Sequence, residues 1–534
     1  MQFDPMEKRF PSKRNTIYTK RGVVATSQPL AAKAGAEILR KGGNAVDAAV
    51  ATAAALTVVE PTSNGIGSDA FAIVWLKDKL YGLNSSGPSP KGISIESVKA
   101  QGHEEMPKYG WTPVNVPGAP KAWASLVERF GNLSLAEVLA PAIDYAENGY
   151  VVNPALGYFW QRACQVYRKK NDPLFEEWFR VFAPGGEAPE VGDVVTLPDH
   201  GQTLRRIGET GGESFYKGDL ADTMDKASKA AGGYLRKADL EAFEPEWVEP
   251  VKVSYKGYDV WELPPNGQGI IALMGLNMMK HLDVDHYGSV QTLHKQFEVM
   301  KLAFSDGLAF ITDPDHMEVT VDQLLSESYG KERTALIGDL ARDPEPGEPQ
   351  RSGTVYLATA DAEGNMVSYI QSNYMGFGSG VVVPGTGISL QNRGNTFSLD
   401  PEKANALAPG KRTYHTIIPG FLTKGNEPLG PFGIMGGYMQ PQAHMQVVMN
   451  LVNFHMNPQD ALDAPRWQWV KGKAFQVEAG LGADVVRSLK RKGHEVSISP
   501  DEGPFGRGQM ILKQKNGVYA VGTESRTDGY IAIE

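Results

Sequence analysis

The sequence predicts an α+β protein in which helices pack on sheets whose strands come from both halves of the chain. Before residue 343 the apolar residues recur mostly at helical spacing, with glycine and proline breaks between segments. After Thr354 short β-prone runs recur between glycine, proline and asparagine turns. No fixed-period repeat is present, so a solenoid or propeller is excluded.

Length and composition limit the classes of protein to consider. The chain has 534 residues, beyond the roughly 250–300 at which single cores stop growing, so two or more lobes are expected. A charged content of 22% and a net charge of −9 give no sign of a nucleic-acid partner. A single cysteine, Cys164, excludes an internal disulfide and a cysteine-based zinc cluster. The ten histidines show no metal-ligand spacing, so we expect no metal and no cofactor.

Neither a signal peptide nor a membrane span is expected. The first 16 residues carry charges and prolines but no apolar stretch of signal-peptide length. No run of about 18 apolar residues occurs anywhere in the sequence. We therefore expect no membrane partner and a cytoplasmic location.

The first elements are two helices. Gln28 to Lys41 has helical spacing and ends at Gly42-Gly43, and Asn44 can cap a second helix that runs to about Val59. The second helix is apolar all round, which is typical of a buried helix. A glycine-bearing loop, Thr62 to Asp69, then leads into the strand-like run AFAIVWL. This loop could line a site or serve as a tight connection, and the residues favour the connection.

Further elements follow from the same patterns. Helices are predicted in Trp111 to Gly149 and over Thr292 to Phe310, and a strand pair in Val251 to Leu263. The part after Thr354 is predicted to contain two helices, Met439 to Phe454 and Ala483 to Lys492. Its predicted strands are Gly380 to Val383, Gly387 to Leu390, Ile417 to Leu422, Phe475 to Val477 and Met510 to Leu512.

One hairpin stands out because a polar loop enters it at a hydroxyl residue. Asp343 to Gly353 is rich in proline, glycine and charge and is predicted to be an exposed loop. The runs TVYLATAD and MVSYIQSN flank a turn at Gly364-Asn365, which is typical of a hairpin. A cut before Thr354 would give one residue both a hydroxyl nucleophile and an α-amine of reference pKa about 7.7–8.0. A strand that merely starts with threonine is the commoner case, so other residues must support this hypothesis.

Two glycine motifs are candidates for a functional site, one for a phosphate-binding loop and one for an oxyanion hole. Gly376 to Gly380, GFGSG, is followed by a β-like run instead of a helix, so a phosphate-binding loop is excluded. Gly436-Gly437 follows an apolar strand in FGIMGGYMQPQ. Adjacent glycines there could point N–H groups into a cleft as an oxyanion hole, or could form only a strand-to-helix turn. The residues leave both alternatives open.

Taken together, these residues resemble the γ-glutamyltransferase family of N-terminal-nucleophile hydrolases. The resemblance implies a four-layer αββα sandwich with a helix-rich large-subunit lobe, and autocatalytic cleavage between Gly353 and Thr354. It implies a large subunit, 1–353, and a small subunit, 354–534, that form a heterodimer, and it leaves open whether two heterodimers associate. The motifs that carry it are GGNAVDAAVATAAALTVVEPTSNGIGSDAF, LPPNGQG, MKLAFSDG, GTVYLATADAEGNMVSYIQSN, MGGYMQPQ and GTESRTDG.

The resemblance also implies a mechanism. The Thr354 hydroxyl would first attack the Gly353 carbonyl, and mature Thr354 would then attack a small-molecule amide. Gly436 and Gly437 N–H groups would hold the oxyanion while an acyl-enzyme passes its acyl group to water or an amine. Ser372 stands where the family has a threonine bonded to the nucleophile, and it keeps the hydroxyl.

The departures from the family pattern concern substrate recognition. Ser86 stands where glutathione-handling members have a carboxylate-binding arginine, and Thr396 where they have an amine-binding aspartate. His415-Thr416 replaces a serine pair. A charged contact is commonly worth about 1.5–3 kcal/mol, so γ-glutamyl recognition should weaken strongly.

This pattern resembles the divergent branch that includes cephalosporin (glutaryl) acylase-like proteins. Arg393 or Arg412 could bind a different carboxylate, and Tyr374, close to Ser372, is assigned to the substrate site with them. Three functions are therefore weighed: an autoprocessed γ-glutamyl amide hydrolase or transferase, a glutaryl-type acylase, and a catalytically silent binding protein.

Overall fold

Two seven-stranded sheets stack face to face, and helices cover the outer face of each. The computed structural model describes residues 1, 4, 7, 9–12, 14–344 and 353–534. Within these ranges the strands are β1 Ile17–Thr19, β2 Val23–Thr26, β3 Asp69–Leu76, β4 Lys79–Ser85, β5 Tyr150–Val151, β6 Val194–Val195, β7 Glu246–Val248, β8 Val251–Tyr255, β9 Tyr258–Glu262, β10 Gly353–Ala360, β11 Met366–Tyr374, β12 Gly420–Lys424, β13 Glu427–Met435, β14 Trp467–Lys471, β15 Ala474–Val477, β16 Glu495–Ile498, β17 Arg507–Lys513, β18 Tyr519–Thr523 and β19 Tyr530–Ile533.

The helices of the same ranges are concentrated before residue 335. They are α1 Pro29–Arg40, α2 Ala45–Val59, α3 Ile95–Ala100, α4 Ala119–Phe130, α5 Leu135–Asn148, α6 Pro154–Lys170, α7 Glu176–Phe182, α8 Pro198–Glu209, α9 Glu213–Tyr216, α10 Asp219–Ala230, α11 Lys237–Glu241, α12 Gly269–Met279, α13 Val290–Phe310, α14 Val321–Leu324, α15 Glu327–Thr334, α16 Met439–Val452, α17 Pro458–Asp463 and α18 Ala483–Arg491.

The layer order is helix, sheet, sheet, helix. The first sheet has the order β1-β18-β17-β13-β12-β9-β8 and the second β19-β2-β10-β11-β3-β4-β7. Helices α1, α2 and α4 pack on the second sheet, and α12, α16 and α17 on the first. Between the sheets lies an apolar core that includes Phe71, Ile73, Tyr356, Phe421 and Ile511. The α+β class and the αββα sandwich are confirmed.

Helix α2 is the centre of the helical layer beside the second sheet. Asn44 caps it together with Asp47 in a reciprocal capping box, and every residue of the helix is buried. The contact with α1 is close because Gly35 has no side chain: a Cβ there would lie 2.3 Å from Thr52 Oγ1. Both predicted N-terminal helices are thus confirmed within one or two residues.

The predicted hairpin and most of the later elements are confirmed. Strands β10 and β11 pair in antiparallel register, with Leu357 opposite Tyr369. Of the predicted exposed loop, 345–352 lies outside the described residues, and Gly353 belongs to β10 rather than to a loop. Both sheets combine strands from before and after residue 353, so the predicted subunits share them. The division into 1–353 and 354–534 stays a prediction.

Two predicted strands are wrong. The segments 380–383 and 387–390 are irregular, flank a turn at 384–386 and are joined by an isolated bridge between Val382 and Ser389. Gly380, Gly385 and Gly387 have φ of +75°, +69° and +69°, which turns the backbone away from an extended strand. The apolar residues of this segment pack into the core beside the helical lobe instead.

Candidate active site

The nucleophile candidate Thr354 lies near the start of β10, where the pairing with β11 becomes irregular. Gly353 is opposite Tyr374 and Val355 is opposite Gln371, so β11 has one extra residue at this point. Thr354 is fully buried, and its Oγ1 lies 3.0 Å from Ser372 Oγ. The Tyr374 N–H donates to Ser372 Oγ at 2.8 Å, which fixes the serine hydroxyl beside the threonine.

Gly436-Gly437 connects β13 to α16, with φ of +143° and +62°. Their carbonyls accept hydrogen bonds from the first turn of α16, and Gln268 Nε2 donates to the Gly437 carbonyl at 2.8 Å. In the described part of the chain their N–H groups make no hydrogen bond. The segment is therefore a strand-to-helix turn, and its use as an oxyanion hole stays a prediction.

A buried ion-pair network lies beside Ser372. Asp69 is opposite Ser372 in the pairing of β3 with β11. His415 Nε2 donates to Asp69 Oδ2 at 2.9 Å, because His415 Nδ1 accepts from the Ile417 N–H. Burial, aided by the charge of Arg393, lowers the pKa of His415 to about 4, so the imidazole is neutral at pH 7.

Arg393 is the buried cation of this network and keeps unused donors. Its Nη1 donates to Thr416 Oγ1 at 2.6 Å, and its Nε lies 3.5 Å from Asp69 Oδ2, too far for a hydrogen bond. Its guanidinium lies 4.5 Å from the centre of the Tyr374 ring. Nε and Nη2 have no hydrogen-bond partner among the described residues, although the side chain is fully buried. Burial also lowers the pKa of Arg393.

The network and the glycine turn are linked by Gln268. Its Nε2 donates to both the Thr416 and the Gly437 carbonyls, at 2.6 and 2.8 Å, while Tyr414 donates to its Oε1. The contacts therefore run continuously from Ser372 through Asp69 and Arg393 to the turn. Asp69 and Gln268 are site residues that the sequence did not predict. An acidic residue opening an otherwise apolar strand was the available signal for Asp69.

Ser86 and Thr396 both have their hydroxyls engaged within the protein. Ser86 Oγ donates to Asn84 Oδ1 at 2.7 Å and accepts from Asn266 Nδ2 at 3.2 Å. Thr396 Oγ1 donates to the Arg393 carbonyl at 2.8 Å and contacts Thr413 Oγ1 at 2.7 Å. Neither position supplies a charge, and each hydroxyl stabilises the loop that carries it.

Arg412, the other arginine considered for a carboxylate, is engaged elsewhere. Its Nη1 pairs with Glu246 at 2.5 Å, and its Nε donates to the Ser86 carbonyl at 3.0 Å. Of the two arginines, Arg393 is therefore the one whose buried side chain has unpaired donors among the described residues.

A cavity of about 340 Å³ adjoins the glycine turn, and Gly436 and Tyr438 line it. Thr62 and Ser63 line it as well. The prediction that the Thr62 to Asp69 loop is only a tight connection is thus wrong: its start lines the cavity and its last residue enters the ion-pair network.

Folding also assembles a histidine group that spacing could not reveal. His294, Glu298 and His494 bring potential metal-ligand atoms within 4.8 Å of one another, although His294 and His494 are 200 positions apart. The Lys301 ammonium lies 2.5 Å from Glu298 Oε1 and already neutralises the carboxylate. Separately, none of the described helices has the length and apolar character that crossing a membrane requires.

Comparisons with known proteins agree with this geometry. The family model described as Gamma-glutamyltranspeptidase matches residues 31–533. The chain is 36% identical to the glutathione hydrolase-like YwrD proenzyme of Bacillus subtilis (strain 168), over 97% of this chain and 99% of that one. It is 32% identical to the oxamate amidohydrolase proenzyme of Klebsiella pneumoniae, over 96% and 98%.

A solved structure extends the similarity to the whole fold. The cephalosporin acylase from Bacillus halodurans superposes with a TM-score of 0.96 at 58% identity, covering 100% of this chain and 99% of that one. The resemblance inferred from the motifs is therefore confirmed. The chain belongs to the gamma-glutamyltranspeptidase family and is an autoprocessed N-terminal-nucleophile hydrolase.

Proposed function

We propose that Thr354 is the nucleophile of an amide hydrolase and acyltransferase that acts on γ-glutamyl or related acyl amides. The observation that carries this proposal is the 3.0 Å contact between the buried Thr354 and Ser372 hydroxyls. This contact lies near the start of β10, and the peptide bond to be cut joins Gly353 and Thr354, the first two residues of that strand. A buried hydroxyl held by a second hydroxyl is positioned for attack on a neighbouring carbonyl carbon.

Maturation would be the first use of this hydroxyl. Thr354 Oγ1 attacks the Gly353 carbonyl carbon, the C–N bond breaks, and the proton passes to the Thr354 nitrogen. That step frees the Thr354 α-amine, and water then hydrolyses the resulting ester, which frees the Gly353 carboxylate and the Thr354 hydroxyl. The two chains share both sheets and would stay together as a heterodimer.

Catalysis would repeat the same chemistry on a substrate amide. The freed α-amine takes the hydroxyl proton while Oγ1 bonds to the acyl carbon, and the Gly436 and Gly437 N–H groups hold the oxyanion. The proton then goes to the departing amine as the C–N bond breaks. Water or a second amine takes the acyl group from the ester and regenerates Thr354. None of these steps calls on a metal or cofactor.

The site around Arg393 favours an acyl group that ends in a carboxylate, which supports glutaryl-type acylase activity as the second candidate. Buried donors without partners are costly, and a carboxylate would satisfy the free Nε and Nη2 in a bidentate manner. The positions expected to hold a γ-glutamyl α-amine and α-carboxylate carry Thr396 and Ser86, which are neutral and engaged. The names of the similar acylase and oxamate amidohydrolase are consistent with such a substrate.

The test compares kcat/KM for γ-glutamyl and glutaryl p-nitroanilides on the cleaved protein. Slow γ-glutamyl cleavage with a high KM and poor discrimination between the two is expected, because the position expected to bind the α-amine carries the neutral Thr396. A γ-glutamyl preference of a thousandfold or more would show that other residues bind the α-amine and the α-carboxylate in place of the missing aspartate and arginine. The cytoplasmic location stays a prediction that cell fractionation would check.

A further inference from the structure

A second stretch of backbone lies directly against the Gly436-Gly437 turn. It is the segment 505–508, which leads into β17, and Arg507 is opposite Met435 in the pairing of β17 with β13. A Cβ built on Gly436 would lie 3.1 Å from Gly506 Cα, and one on Gly506 would lie 2.6 Å from the Met435 carbonyl oxygen. Distances this short leave no room for a side chain on Gly506, so the two backbones are in contact.

This contact falls on the peptide unit that carries the Gly436 N–H. The Met435 carbonyl and the Gly436 N–H lie on opposite edges of one rigid, trans peptide plane. Fixing the carbonyl oxygen therefore fixes the direction of the N–H. The next peptide unit is fixed differently, because the Gly436 carbonyl accepts from the Met439 N–H at 3.2 Å. The start of α16 thus orients the Gly437 N–H, and the segment 505–508 orients the Gly436 N–H.

A buried arginine, Arg466, holds the segment that touches the turn. Its Nη1 donates to the Phe505 and Gly506 carbonyls, each at 3.0 Å. Its Nη2 donates to the Leu462 carbonyl at the end of α17 and to Glu524 Oε2, both at 2.8 Å. The guanidinium is therefore fixed on one edge and binds two successive carbonyls with the other.

The Glu524 carboxylate joins this arginine to β17. Its Oε2 accepts from both Arg466 Nη2 and the Gly508 N–H, each at 2.8 Å. Its Oε1 accepts from Arg526 Nη1 at 2.6 Å. Arg466 and Glu524 are both buried, and charge-assisted hydrogen bonds are strong in a buried environment. The segment is thus held on both sides of Gly506, by Arg466 at its carbonyls and by Glu524 at Gly508.

We propose that Arg466, held by Glu524, is a positioning residue that orients the Gly436 N–H towards the oxyanion. Arg466 touches no reacting atom and acts through Gly506 and the Met435 carbonyl. This inference rests on the proposed function, because it requires an oxyanion that forms on attack by Thr354. An oxyanion donor acts chiefly in the transition state, so misplacing it lowers kcat and leaves KM nearly unchanged.

The first test uses Arg466→Lys, which keeps the charge but loses the planar fork that binds two carbonyls. On the cleaved protein, kcat for glutaryl p-nitroanilide should fall about tenfold or more, while KM changes less than about threefold. Arg333→Gln is the matched control and should change neither constant. It removes a partly buried ion pair, the 2.8 Å contact between Arg333 and Asp306, which joins α15 to α13.

A boronic acid gives a second readout that a loss of stability alone would not change. The probe 4-boronobutanoic acid has the glutaryl chain with boron in place of the acyl carbon. Thr354 Oγ1 bonds to boron, the hydroxyl proton passes to the α-amine, and the tetrahedral anion places an oxygen at the oxyanion position. Glutarate has the same chain and forms no adduct. Arg466→Lys should weaken boronate binding about tenfold or more relative to glutarate binding, and Arg333→Gln should leave this ratio unchanged.

Glu524→Gln provides an independent variant if Arg466→Lys does not fold. It keeps the size of the side chain and one acceptor, so both readouts should change in the same direction by a smaller factor. A wild-type ratio of boronate to glutarate affinity in these variants would overturn the inference, and so would a rise in KM with kcat unchanged. A wild type that neither hydrolyses glutaryl p-nitroanilide nor binds the boronate would instead contradict the proposed function.

Discussion

The cluster around Arg393 and the cavity beside Gly436 are built from opposite kinds of residues. Arg393, Asp69 and His415 form a fully buried charged cluster, whereas the cavity beside Gly436 has a volume of about 340 Å³ and is mostly apolar. A buried charge is specific but rigid, because leaving it unpaired is costly. An apolar cavity discriminates weakly between ligands of similar size. We therefore expect the charged cluster to select its ligand narrowly and the cavity to tolerate a range of ligands.

The largest expected effect on activity comes from removing the Thr354 hydroxyl. Thr354→Ala should abolish both chain cleavage and amide hydrolysis, a loss of at least about a thousandfold, since no other hydroxyl occupies its place. Thr354→Ser should retain part of each because it keeps the hydroxyl and the amine.

Denaturing gels and mass analysis of the smaller chain, expected to begin TVYLATAD, measure cleavage, and p-nitroaniline release measures activity. A wild-type protein that stays a single chain after long incubation would count against Thr354, and so would a fully active alanine variant.

The next largest effect should be confined to substrates whose acyl group ends in a carboxylate. Arg393→Met removes the proposed carboxylate contact, so kcat/KM for glutaryl p-nitroanilide should fall about 10- to 150-fold, the equivalent of roughly 1.5–3 kcal/mol. Valeryl p-nitroanilide has the same chain length without the carboxylate and should change only a few fold. Arg412→Gln, at the arginine already paired with Glu246, is the control and should leave the ratio of the two unchanged.

If Arg393→Met proves unstable because Asp69 loses a partner, Arg393→Lys keeps the charge without the planar fork. It should give an intermediate ratio. Equal losses on the glutaryl and valeryl substrates would show that Arg393 has a structural role and does not read the acyl group.

The smallest expected effect is on the free energy of unfolding, and it comes from the titration of His415 in the charged cluster. His415 has a folded pKa of about 4 against 6.5 in an unfolded chain. The unfolded state therefore binds more protons between these values, and this contribution to stability is full above pH 6.5 and lost as the pH falls towards 4. Between pH 7 and pH 5 it amounts to about 2 kcal/mol.

His415→Gln keeps a donor for Asp69 but does not titrate, so its free energy of unfolding should fall by about 2 kcal/mol less than that of wild type over this range. Urea unfolding at the two pH values measures the difference. His286→Gln, at an exposed histidine, is the control. Identical pH dependence in wild type and His415→Gln would contradict the assignment of a neutral buried imidazole.

Local sequence signals predicted the elements that carry the nucleophile. The capping residue Asn44, the turn at Gly364-Asn365 and the alternation of runs around it act over a few residues, so α2 and the β10–β11 hairpin were correct. The turns near Gly380 and Gly387 were mistaken for strands because their valines have high β-propensity. Glycines of positive φ and packing against the helical lobe override that propensity.

The sequence by itself determined the order of elements, the family and the candidate nucleophile, since each rests on short motifs whose chemistry is local. Only the tertiary structure decided which charges meet. Asp69 and His415 are 346 positions apart, and Arg393 likewise approaches Asp69 only in the folded chain. The cavity likewise forms where helix α6 approaches the glycine turn and β14. Contacts between residues hundreds of positions apart depend on how layers stack, and no spacing along the chain encodes them.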